Sequence, residues 1–158
     1  MSVIPSIAFL AMTAGTVLSE ASSSDRVIRV HVFAGDPKAG FVDPEAKDSA
    51  RDLTEALRKK TAVRLVNEQD KADVWVRVDK RFIRATGGAV ATGTESAAVA
   101  VPLDEHVVQA TLGAGDYNTE IVGTNDWGYK RAAGKLADKV EKWLEQNRDQ
   151  LVSRRPKE

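Results

Sequence analysis

Few side chains in this 158-residue chain are equipped for chemistry: it has two histidines and no cysteine. Acid and imidazole meet in one place, Asp104-Glu105-His106. Neighbouring strand residues point to opposite faces, so Asp104 and His106 can share one. His31 is the only other histidine, which leaves too few ligands at metal spacing for a zinc site. A solvated turn is the favoured reading of the triplet. Asp36 and Asp43 each precede a proline in one loop and offer carboxylates to a cation, but Asx-Pro turn chemistry accounts for both. Gly113-Ala114-Gly115 and the stretch from Gly87 to Gly93 lack the strand-to-helix setting in which backbone N–H groups cradle phosphate. There is no Gly-x-Ser-x-Gly elbow. No catalytic residue, metal ligand or cofactor is assigned on these grounds, and an enzyme is the less favoured reading.

Recognition chemistry is better represented. In the run Ala72–Ile83 (ADVWVRVDKRFI), Val74, Val76 and Val78 alternate with Trp75, Arg77 and Asp79, the period of a half-buried strand. Val27–Phe33 (VIRVHVF) alternates in the same way. If the aliphatic residues pack beneath helices, one uncovered sheet face carries Arg29, His31, Phe33, Trp75, Arg77 and Arg81. Trp and Arg are enriched in binding hot spots, and arginine stacks on aromatic rings. The competing expectation is an ordinary mixed polar face turned to water, with Trp75 lying along the Arg77 stem.

The elements that must position these residues follow in order. Asp43-Pro44 opens a helix, Asp as cap and Pro at the first position, where a missing N–H costs nothing. Ala46, Ala50, Leu53 and Leu57 form its apolar stripe, and Arg58, Lys59 and Lys60 complement its C-terminal dipole. Ala62–Val66 is a short strand that completes a β-α-β unit with the first, so the two are expected to be parallel. After the valine-rich strand, Gly87-Gly88 reads as a hairpin turn and 90–101 as a strand broken near Gly93. Glu105–Leu112 and Tyr117–Val122 read as two further strands. Asp126 is expected to cap a last helix to about Gln150, with Ala133, Leu136, Val140, Trp143 and Leu144 on its buried stripe and Asp138 paired to Lys142. Trp127 is expected to anchor this helix on the sheet. The fold class is α+β, a two-layer sandwich of order β-α-β-β-β-β-β-α. Its mixed, mostly antiparallel sheet of about 5–6 strands carries two helices on one face.

Residues 1–19 hold no charged side chain, and the apolar run Val3–Leu18 ends at Ser19-Glu20-Ala21. Small residues at those spacings suit a signal-peptidase cut, so residues 1–21 are expected to be a signal peptide and the protein periplasmic or secreted. A membrane anchor over residues 3–18 and a cytoplasmic extension are the alternatives. The anchor is short for a span, which takes about 20 apolar residues. Residues 22–26 read as a linker, 27–151 as one domain and 152–158 as a disordered tail. Equal numbers of basic and acidic residues, 23 of each, give no electrostatic footprint for nucleic acid. The function these features favour is a non-enzymatic binding or accessory domain of the envelope, its partner an envelope protein or cell-wall component. A small carboxylate-dependent hydrolase and a cytoplasmic RNA-binding sheet are the alternatives.

Overall fold

The computed structural model describes residues 27–35, 42–90 and 99–154. The leader and linker readings for residues 1–26, Asp36 and the last residues of the tail lie outside them. The described strands and α-helices are β1 (Ile28–Ala34), α1 (Pro44–Arg58), β2 (Val63–Leu65), β3 (Val74–Val90), β4 (Val99–Ala114), β5 (Tyr117–Asn125) and α2 (Tyr129–Ser153), with a 3-10 turn, Gln69–Lys71, before β3. They form one five-stranded sheet in the order β2-β1-β3-β4-β5. β1 runs parallel to both β2 and β3, whereas the β3–β4 and β4–β5 pairs are antiparallel. This is the α+β two-layer architecture expected from the residue pattern.

The first half forms for the anticipated reasons. Asp43 accepts a hydrogen bond from the Glu45 N–H at 2.9 Å, Pro44 follows it, and Ala46, Ala50, Leu53 and Leu57 are buried. Ile28 and Val30 of β1, Val74, Val76 and Val78 of β3, and Val108, Ala110 and Leu112 of β4 meet both helices in one core. On α2 that core takes Ala132, Ala133, Leu136, Ala137, Val140, Leu144 and Leu151. Both helices therefore cover the same sheet face. Gly123 of β5 lets α2 come close: a Cβ there would lie 2.2 Å from the Ala132 carbonyl oxygen and 2.7 Å from Leu136 Cβ.

Several expectations give way. Gly87 and Gly88 are not a turn but strand residues, opposite Pro102 and Val101. β3 and β4 are 17 and 16 residues long, so the separate strand expected over 90–101 is divided between their ends, and 91–98 lie outside the described residues. Small Ala, Gly and Thr side chains carry no turn obligation when the neighbouring strand supplies the ladder. The residue that caps α2 is Gly128, not Asp126. Asp138 does not pair with Lys142; it accepts from Lys60 at 2.8 Å, and Glu141 accepts from the same ammonium at 2.7 Å, tying α1 to α2. α2 also runs past the expected boundary at 151, with Val152 against the core. Among the described residues no helix is long and apolar enough to cross a membrane.

Candidate functional site

The sheet face opposite the helices carries the recognition chemistry, and strand register decides what stands there. β1 is aligned with β3 so that His31 faces Trp75 and Phe33 faces Arg77. β4 continues the same rows, with Gly113 beside Trp75 and Thr111 beside Arg77. Trp75 lies across Gly113: a Cβ on that glycine would sit 2.1 Å from the indole. The missing side chain is what lets the ring lie down on the sheet. Phe33 meets Trp75 with ring centroids 6.1 Å apart, and His31 stacks on Phe33 at 5.4 Å. The three rings form one aromatic strip, each half-buried.

Polar bonds hold the edges of this strip. The His31 Nδ1–H donates to the Val66 carbonyl at 3.0 Å, because a carbonyl can only accept, and this leaves Nε2 to carry the ring's remaining polarity. Arg77 Nε donates to Asp79 at 2.7 Å, and the Thr111 hydroxyl donates to the other Asp79 oxygen at 2.7 Å. Arg29 donates to Asp73 from its backbone N–H at 2.8 Å and from Nε and Nη2 at 3.2 and 2.8 Å. Both guanidinium groups therefore already have carboxylate partners, and the face is neutralised as well as fixed.

Arg81 is the correction to the sequence-based site. The β3–β4 register shifts between Val78 and Lys80, leaving Asp79 as the extra residue of a bulge. A bulge reverses the alternation that follows it. Arg81 consequently stands opposite the buried Val108, on the helix side. Its guanidinium carbon lies 4.5 Å from the Tyr129 ring centroid on α2, and its Nε is 3.5 Å from Glu45 on α1. His106 packs on the same tyrosine at 4.7 Å. In place of Arg81 the open face receives Lys80 and Phe82, the ammonium 5.4 Å from the ring centroid. Phe82 stands opposite Val107, a residue buried there without belonging to the helix-side core. Sequence reading missed Lys80, Phe82, Gly113 and Thr111. The signal for the first two was present, since Asp79-Lys80-Arg81 interrupts the apolar period.

The other candidates separate. Asp104-Glu105-His106 is strand rather than turn, and its members act apart. Asp104 is exposed, and His106 faces Tyr129. Hydrogen bonds from Arg84 first, and then from Thr124, hold Glu105 below the usual carboxylate range. Asp43 is spent on its cap. No group of three or more His, Asp or Glu residues is placed to hold a metal ion among the described residues. Trp127 is no anchor: it is 79% exposed, with the Arg131 guanidinium 5.7 Å from its ring centroid. Trp143 is half-buried and stacks on Tyr117 at 5.9 Å. On the outer side of the helix layer an open cleft of about 530 Å³ runs between α1 and α2, its walls mixed in charge, from Asp52 and Glu55 to Lys130 and Lys135. No protein-family model matches this chain, and no curated protein matches it in sequence.

Proposed function

We propose that this chain is a non-enzymatic binding domain, exported to the envelope, that recognises a protein or cell-wall component on its open sheet face. One observation carries the reading. The strip of His31, Phe33 and Trp75 is built onto a sheet face over which no described element packs, seated on Gly113 and framed by Arg77–Asp79–Thr111. Aromatic area held rigid before contact loses little entropy on binding, which is where affinity is otherwise spent. The apolar, charge-free N-terminal run supports the export part of the proposal.

The ion pairs bear on the partner. A phosphate backbone would have to compete with Asp73 and Asp79 for Arg29 and Arg77, which disfavours RNA even though sheet aromatics stack bases elsewhere. A neutral or mixed surface, such as a protein or a glycan, meets no such competition.

The test places a photo-crosslinking benzoylphenylalanine at Gln109 on the open face, and at Asp48 on the outer side of α1 as a control, in cells of the source organism. Co-sedimentation with purified cell wall runs in parallel. Adduct formation from position 109 alone, or wall binding, that is lost in Trp75→Ala/Arg77→Ala supports the proposal. The double variant must retain the wild-type circular dichroism spectrum. Equal labelling from both positions, or neither adduct nor wall binding, overturns it. N-terminal sequencing of the native protein checks export, for which a mature start at Ser22 is expected.

A further inference from the structure

The open sheet face holds more than aromatic rings, and the polar groups beside Trp75 restrict what can lie on it. The indole rests on Gly113 with one ring face, so the other is turned away from the sheet. Phe33 extends this platform, its ring centroid 6.1 Å from that of the indole. The next cross-strand pair, Arg77 and Thr111, lies about 7 Å further along, the rise of two strand residues. Asp79 in the bulge and Gln109 follow. On β5, Asn118 stands opposite Gly113 and Glu120 opposite Thr111. Solvent reaches this part of the face: Asn118 and Glu120 are exposed, and the Arg77 and Asp79 side chains keep 31% and 25% of their surface.

The polar groups have spent only part of their capacity on one another. Arg77 donates from Nε to Asp79 at 2.7 Å and from Nη2 to Thr111 at 3.4 Å, which leaves Nη1 as a donor. Each Asp79 oxygen takes one of these local bonds, from Arg77 or from Thr111, and has a second lone pair. Gln109 Nε2 donates to Glu120 at 2.8 Å, which leaves the amide oxygen as an acceptor. Donor and acceptor sites therefore lie side by side, and a hydroxyl, which both donates and accepts, answers both. A phosphate or sulfate only accepts and meets the carboxylates of Asp79 and Glu120. An ammonium only donates and meets Arg77 and Lys80. Those two cations balance the two carboxylates, so the complementary ligand is uncharged.

Taking the open sheet face as the binding surface, on which this step rests, we infer that its ligand is a neutral glycan chain of β-linked sugars with equatorial ring substituents. One sugar stacks on Trp75, and the hydroxyls of the next bond to Arg77, Asp79 and Gln109. A ring whose substituents are all equatorial turns only axial C–H bonds to either side. Those weakly positive hydrogens suit the negative face of an indole. Its hydroxyls lie around the rim, where the polar row stands beside the platform. The bonds already made within that row hold its side chains in place before the ligand arrives, which lowers the entropy lost on binding.

Nuclear magnetic resonance of the full chain tests this by titration with chitohexaose and with cellohexaose, up to on the order of 10 mM, to cover weak binding. The backbone amides of Thr111, Gly113 and Asn118 and the Trp75 indole N–H are expected to shift together and saturate, while Gly134 on the helix layer stays still. Affinity is expected to hold on the order of 1 M salt, because the ligand brings no charge to be screened. Trp75→Ala should weaken binding about tenfold or more, and Trp75→Tyr, which keeps a flat ring, should restore most of it. The wild-type titration does not depend on either variant folding. No saturable shift with either oligosaccharide overturns the proposal. Equal affinity in wild type and Trp75→Ala overturns it too, as does tighter, salt-sensitive binding of a heparin hexasaccharide. A protein adduct from position 109 without a response to either oligosaccharide removes the glycan and leaves the binding face standing; the absence of both removes the two together.

Discussion

Gly113 and Gly123 lie on neighbouring strands and face opposite sides of one sheet, so the same added methyl group reports on both layers. At Gly123 a Cβ would lie 2.2 Å from the Ala132 carbonyl oxygen, 2.7 Å from Leu136 Cβ and 2.8 Å from the Leu136 nitrogen. Two of these atoms are α2 backbone, so relief requires the helix to lift from a core it shares with α1 and three strands. Overpacking of a close-packed interior costs about 1–3 kcal/mol and more where backbone must move, which places Gly123→Ala at about 3 kcal/mol. At Gly113 the clash is nominally tighter, 2.1 Å, but its partner is the indole of Trp75 on the open face. That ring can swing into solvent. The loss is then the packing of one half-buried aromatic, partly offset by the about 0.4–1 kcal/mol that Gly→Ala gains by restricting the unfolded chain. A cost of about 1 kcal/mol is expected for Gly113→Ala, with a change in tryptophan emission that Gly123→Ala does not show. Urea unfolding followed by far-ultraviolet circular dichroism measures both free energies, and equal m-values license the comparison. If Gly113→Ala proves as costly as Gly123→Ala, Trp75 has nowhere to go. The sheet face would then be covered, and the proposed recognition surface would fail with it.

Three further outcomes are expected. Leu136→Ala, at a fully buried position, should cost about 2–5 kcal/mol, and Trp143→Ala less, about 2 kcal/mol, because the half-buried ring rests on Tyr117; the same urea titration ranks them. Hydrogen bonds to Asp138 first and then Glu141 raise the Lys60 pKa above 10.5. A raised folded-state value contributes stability that is complete below the unfolded lysine value and is lost as pH rises through the folded one. Lys60→Met should therefore cost up to about 1 kcal/mol near neutrality, and the difference from wild type should shrink in unfolding curves taken above pH 10.5. Glu105 shifts the other way, so its contribution is present above the ordinary carboxylate value of 4.5 and is lost as pH falls through its depressed folded value. Carboxyl titration by nuclear magnetic resonance should show Glu105 below 4.5 in the wild type and moving back toward it in Arg84→Gln.

Local pattern was enough for most of the architecture. The Asp43-Pro44 start, the Ala46–Leu57 stripe and the alternating valines of β1 and β3 each depend on neighbours within a turn or a pleat, so the residues themselves carry the information. The side assigned to Arg29, His31, Phe33, Trp75 and Arg77 follows from the same alternation. Alternation counts residues, however, and a bulge adds one without notice: Asp79 sent Arg81 to the helices and brought Lys80 and Phe82 to the open face. The seat of Trp75 on Gly113 joins positions 38 residues apart that only the β3–β4 register brings together.

The sequence by itself determined both helices and the strands around the alternating valines, because period and capping are properties of adjacent residues. It likewise determined that no cysteine chemistry is possible. Tertiary structure alone decided that Gly87-Gly88 continues a strand instead of turning and that Lys60 reaches α2. Each of these depends on what lies across a ladder or a helix interface, and a contact between distant residues leaves no mark in the spacing of near ones.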